Sequence, residues 1–237
     1  MLNHIYITTA TLAVLALFAG HAKAADLTSD FDQKHKACLE RIAEDSELAL
    51  EDAMVWRSEG GGRRAKHCEA MALFALGHED EAANRLDTLA KASDGGSPAM
   101  RANFYAEAAN FWLASENPTK AYSSSTAGLE IAKNHIDLRI ARARSYAMSG
   151  RYDFAETDLT SVLFFDAEHV DALRYRADAR LQQDKLSEAL TDIEKALSLD
   201  FENVETAVVR GRIKEAIRLK GRDDTSEASS DLYETTQ

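Results

Sequence analysis

Ala121, Ala155 and Ala189 stand 34 residues apart, and Ala82 precedes them by 39. Each falls in the second half of a segment shaped as two short helices joined by a tight turn. A fixed period of this size marks stacked supersecondary units, where each unit buries its apolar face against its neighbours rather than in one central core. A chain of this kind is organised to present a surface. What it holds is therefore a more pressing question than what it converts.

Composition narrows the class. Two prolines and eleven glycines in 237 residues, with many Ala, Leu, Glu and Arg, favour helix. No β-branched alternation is long enough for a strand, so the chain reads as all-α. Forty acidic residues against 28 basic ones give a net charge of −12. That balance argues against a nucleic-acid partner, because phosphate binding needs a basic face.

The first residues read separately. Ile5 to Gly20 are largely apolar, and Ala22-Lys23-Ala24 is a small-x-small site. This is the pattern of a secretory signal over 1–24, cut after Ala24. The n-region lacks Lys and Arg, so an uncleaved anchor is the alternative, although the run is shorter than the roughly 20 residues that span a bilayer. No Cys follows the site, which argues against a lipoprotein. The expected location is the periplasm or the exterior, with no membrane insertion once the signal is removed.

The copies align by their own spacing. The third has Ala143 and Tyr146, a turn at Ser149-Gly150-Arg151-Tyr152, then Ala155 and Leu159. The fourth has Ala177 and Arg180, a turn at Gln183-Asp184-Lys185-Leu186, then Ala189, Ile193 and Ala196. The first has Ala70, Leu73, Leu76-Gly77-His78, Ala82, Leu86 and Leu89, and the second Ala109, Trp112, Asn117-Pro118 and Ala121. Small residues at matched offsets let helix axes approach, and bulky ones fill the gaps.

This pattern resembles the tetratricopeptide repeat family, in particular secreted repeat proteins of Gram-negative bacteria. The resemblance implies a helical-hairpin solenoid wound as a right-handed superhelix over 25–222. It divides into a shortened copy at 30–62, copies at 63–101, 102–135, 136–169 and 170–203, and a terminal helix at 204–221. The family's signature Trp and its closing Pro are missing, with Asp94, Lys133, Ala167 and Phe201 in the Pro positions. In the shortened copy Ala37 and Ala49 take the small positions, Asp45 or Ser46 caps the second helix, and Trp56 closes it before Gly60-Gly61-Gly62. Residues 223–237 form an acidic tail, in which Ala228 and Asp231 echo the second helix of a last hairpin. The extra residues at Ser93-Asp94-Gly95-Gly96-Ser97-Pro98 read as an exposed loop, not a domain boundary.

Opposite charges recur 16 residues apart: Arg142 with Asp158, Arg176 with Asp192, and Glu69 with Arg85 in reversed order. They read as a structural ion pair repeated across each hairpin, each worth about 0–1 kcal/mol if exposed. An arginine track for an acidic ligand is the alternative, and the sign reversal argues against it.

Carried over residue by residue, the family's ligand-facing positions fall on the first helix of each copy. They are Arg64, His67, Met71 and Phe74, then Asn103, Asn110 and Leu113, then Asp137, Ile140, Arg144 and Met148, then Asp171, Arg174, Asp178 and Leu181. Arg212 extends the row. The resemblance thus implies a groove for a peptide or partner protein with apolar and charged parts. The two-lysine carboxylate clamp of cytosolic chaperone adaptors is missing, since His67 and Met71 stand where Lys and Asn are needed.

Cys38 and Cys68 are the two cysteines. In an oxidising compartment they read as a disulfide between neighbouring first helices. A Cys2His2 zinc site with His35 and His67, or unpaired thiols, are the alternatives. No nucleophile elbow, zinc-protease helix, phosphate loop or haem site occurs. The expectation is a non-catalytic scaffold without cofactor or resident metal. Self-association into a homodimer through Met71 and Phe74, as an accessory or assembly factor for envelope machinery, is the second reading. An envelope enzyme is the third.

Overall fold

The computed structural model describes residues 30–93 and 96–234, those from 223 on as backbone only. The expected signal segment lies outside the described residues. Among the described residues there is no strand, and no helix is long and apolar enough to cross a membrane.

The helices run α1 (30–44), α2 (Ser46–Ser58), α3 (Gly62–Ala75), α4 (Glu79–Lys91), α5 (Pro98–Ala114), α6 (Pro118–Ile131), α7 (Ile136–Met148), α8 (Tyr152–Phe165), α9 (Val170–Leu181), α10 (Leu186–Leu199) and α11 (Val204–Glu234). Odd numbers are the first helices of hairpins and even numbers the second. The chain divides into two compact units, Met1–Ala92 and Ser93–Gln237. The longer junction expected as a mere loop is therefore where one unit ends and the next begins.

Local chemistry sets the helix starts. Asp45 accepts the Leu48 amide at 3.0 Å, Ser97 the Met100 amide at 3.2 Å and Asn117 the Lys120 amide at 3.1 Å. Pro98 and Pro118 follow the last two caps, where a missing N–H costs nothing. Each hairpin turn from α3 onwards closes the same way, with a backbone bond spanning five residues. The bonds are His78 N to Leu73 O, Asn117 N to Trp112 O, Arg151 N to Tyr146 O and Lys185 N to Arg180 O, all 2.8–2.9 Å. The residue before each donor is left-handed: Gly77, Glu116, Gly150 and Asp184, with φ of 81°, 57°, 73° and 58°.

Packing follows the small-residue register. Ala82, Ala121, Ala155 and Ala189 are all fully buried. In the second unit Ala143, Ala155, Leu159, Val162, Leu173 and Ala196 form one cluster, and Ala177, Ala189, Ile193, Val209 and Ile213 the next. A leucine at one of these alanines would overpack the crossing by about 1–3 kcal/mol. In the first unit Cys38, Ala53 and Cys68 make a small cluster with Leu39 and Ile42. Ala37, expected at that crossing, is exposed. Cys38 is buried in its place, one position further round the helix.

The far end departs from expectation. The last hairpin is not formed, and α11 runs unbroken from Val204 to Glu234. Gly221 stays right-handed, so the turn geometry of the other hairpins has no counterpart there. The echo at Ala228 and Asp231 lies inside that helix.

Candidate functional site

The first helices of the second unit, α5, α7, α9 and α11, carry most of the row read from the sequence. Successive members bond to one another across the helix spacing. Arg144 Nη1 donates to Asn110 Oδ1 at 3.0 Å. The Asn110 amide is itself oriented, because its Nδ2 donates to Ala106 O at 3.1 Å. Two periods on, Arg212 Nη1 donates to Asp178 Oδ1 at 2.7 Å. Asn110, Arg144, Asp178 and Arg212 therefore alternate as acceptor and donor at 34-residue steps. The face is cross-linked in pairs.

Arg174 is tied more tightly. It donates to Asp171 at 2.7 Å and reaches Glu205 at 2.9 Å. The Tyr175 ring centroid is 4.3 Å from the guanidinium of Arg174 and 5.4 Å from that of Arg144, within cation–π range. Asn103 Oδ1 faces His135 Nε2 at 2.9 Å. The charge balance differs along the row. Arg174 and Arg212 are neutralised by carboxylates, whereas Arg144 is held by a neutral amide and a ring.

The first unit holds the remaining predicted residues on α3. Arg64 Nε donates to Asp32 Oδ1 of α1 at 2.6 Å, and His67 Nδ1 lies 2.9 Å from His35 Nε2. Met71 and Phe74 are half-buried on the same helix. Cys38 and Cys68 meet with their Cα atoms 6.3 Å apart, inside the range a disulfide spans. The structure thus brings together Asn110 with Arg144, and Asp178 with Arg212, in one unit, while Arg174 pairs with Asp171 and Glu205. Arg64, His67, Met71 and Phe74 belong to the other.

The 16-residue charge pairs lie inside the hairpins instead. Arg142 makes two 2.7 Å bonds to Asp158, and Arg176 bonds of 2.8 and 2.7 Å to Asp192. Arg85 bonds Glu69, with Arg57 3.3 Å from the same carboxylate. Asp158, Asp192 and Glu69 are at most 5% exposed. These are buried acceptors, so the magnitude that holds for exposed pairs does not apply to them. Desolvation makes an unpaired member far costlier than a surface one.

Several site-shaping residues escaped the sequence reading. Tyr175 is one, because aromatic positions beside an arginine carry no periodic signal. The first-helix caps His135, His169 and Asn203 are others, and their 34-residue spacing was available. His169 Nδ1 accepts the Ala172 amide at 3.3 Å and Asn203 Oδ1 the Thr206 amide at 2.9 Å. Glu156 is a third. It gathers Lys185 at 2.6 Å, Arg180 at 2.8 Å and Gln183 at 3.0 Å, joining α8 to the turn of the next hairpin.

Solved structures define the class of this fold. The first tetratricopeptide domain of human RPAP3 matches at 25% identity and a TM-score of 0.50, covering 53% of this chain and 98% of that one. YrrB, a tetratricopeptide protein, matches at 16% identity and 0.56, covering 71% and 85%. TTC0263, a tetratricopeptide protein of Thermus thermophilus, matches at 19% and 0.53, covering 77% and 98%. The protein is thus a tetratricopeptide-type helical-hairpin solenoid, as its repeat register implies. No family model matches the sequence, and no curated protein does.

Proposed function

We propose that this chain is a non-catalytic scaffold that takes a peptide or partner protein on its first-helix face. One observation carries the reading. Arg144 is held in place by Asn110 and Tyr175, yet no carboxylate neutralises it among the described residues. A preorganised, uncompensated guanidinium beside half-buried Ile140 and exposed Met148 suits an anchor for an acidic or carbonyl group next to an apolar one. Export to the periplasm or exterior, with cleavage after Ala24, belongs to the same proposal. The sequence pattern of 1–24 supports it.

The test is affinity capture from an envelope extract, comparing the parent with Asn110→Ala, Arg144→Ala and Arg174→Ala. Arg144→Ala is expected to weaken capture by at least about tenfold, the loss typical of a charged anchor. Unchanged capture by all three variants would sink the groove assignment. Fractionation and N-terminal sequencing test the location, with Ala25 expected as the first residue.

Self-association remains the second reading, favoured by a different observation from the one expected. Met71 and Phe74 are half-buried, whereas Phe164 is 83% and Phe201 81% exposed. Light scattering of the purified chain with and without Phe164→Ser and Phe201→Ser distinguishes the two. A dimer that both changes abolish would favour an assembly role.

A further inference from the structure

We propose that His35 and His67 form a two-imidazole site for a tetragonal divalent ion, copper(II) or nickel(II), between α1 and α3. The inference is independent of the groove. His35 Nε2 and His67 Nδ1 are 2.9 Å apart, and the ring centroids are 5.0 Å apart at 61°. A hydrogen bond between two imidazoles sets an N–H against a lone pair, so one of the facing nitrogens is already in the form that binds metal.

The spacing puts both nitrogens within reach of one ion. With metal–nitrogen bonds of about 2.0–2.1 Å, nitrogens at this separation subtend about 90° at the ion. That is the cis angle of a square-planar or tetragonal centre. Among divalent ions copper also has the highest affinity for nitrogen donors, and nickel the next. The lone pairs converge on such an ion when the rings turn about Cβ–Cγ, a broad torsion.

The helices around the pair are braced. Residues 32, 35 and 38 follow one face of α1 at three-residue steps. Asp32 is bonded to Arg64, His35 faces His67, and Cys38 meets Cys68. The histidine rung is thus flanked by an ion pair on one side and the cysteine pair on the other. Preorganisation of this kind lowers the ordering cost of binding. No group of three or more His, Cys, Asp or Glu gathers for a metal among the described residues, so water completes the coordination. This differs from the Cys2His2 zinc set weighed from the sequence, because the sulfurs are engaged with each other.

The test is copper(II) titration of the full, oxidised chain carrying His4→Ala and His21→Ala, followed by calorimetry and electron paramagnetic resonance. One ion per chain with two-imidazole nitrogen coupling is expected. Affinity falls by at least about tenfold in His35→Ala and in His67→Ala, as one of two linked donors is lost, and is unchanged in His78→Ala. Nickel(II) raises the thermal midpoint of the parent but not of His35→Ala, a readout that survives if His67→Ala fails to fold. Absence of stoichiometric binding, binding indifferent to His35→Ala, or zinc binding tighter than copper would each overturn the site.

Discussion

Asp192 takes a pair of hydrogen bonds from Arg176 and a third from Arg180 while only 4% exposed. Replacing it with alanine leaves half-buried Arg176 without a carboxylate, while Arg180 keeps Glu156. A loss of about 3–5 kcal/mol is expected, read as a lowered urea midpoint with the slope unchanged. Glu156 makes a different prediction. Burial opposes its charge, but bonds from Lys185, Arg180 and Gln183 outweigh it and hold the carboxyl at about 2, against 4.5 ordinarily. A depressed folded value means stability that is complete above about pH 4.5 and lost as the pH falls towards 2. Glu156→Gln should remove that part of the acid sensitivity, so the parent and variant unfolding curves converge near pH 2. At this scale the sequence was half legible. The 16-residue charge spacing showed which side chains face each other. It could not show depth, because burial depends on the bulk of neighbouring helices.

Among the elements, the hairpin turns repeat one geometry with two chemistries. Gly77 and Gly150 adopt the left-handed conformation without a Cβ, whereas Glu116 and Asp184 adopt it against the steric cost that conformation carries, about 1–2 kcal/mol. Glu116→Gly should therefore raise stability by about 1 kcal/mol, net of the added unfolded-state entropy, measured by thermal unfolding. Asp184 is the poorer test, since its carboxylate also meets Lys220. The helix pattern itself was readable, because alanine offsets and turn residues recur together. The left-handed residue was visible where glycine marks it and invisible where an acidic residue takes its place. The last hairpin was misread for a related reason. A repeat echo at Ala228 and Asp231 says nothing about whether the chain turns before it, and Gly221 does not adopt the conformation a turn requires.

For the whole molecule the main fact is the division at Ala92 and Ser93. The cysteine pair lies wholly in the first unit, closing a sequence separation of 30 residues. In the chain-entropy account a link of that span stabilises by roughly 3–4 kcal/mol. Reduction should therefore loosen 30–92 and leave 96–222 unaffected, seen as faster amide exchange confined to the first stretch. Equal loosening of both stretches would show that they unfold as one. The sequence did not disclose this partition, because a five-residue surplus looks the same whether it bulges or separates. The unbroken α11 has its own consequence. Thr206, Val209 and Ile213 bury its start, and from Lys214 to Arg222 no residue is buried. Among the described residues α11 lies on α10 and α9 as a single helix, with no returning partner. Its exposed stretch is therefore held without buried packing, so amide protection should fade along it beyond Ile213.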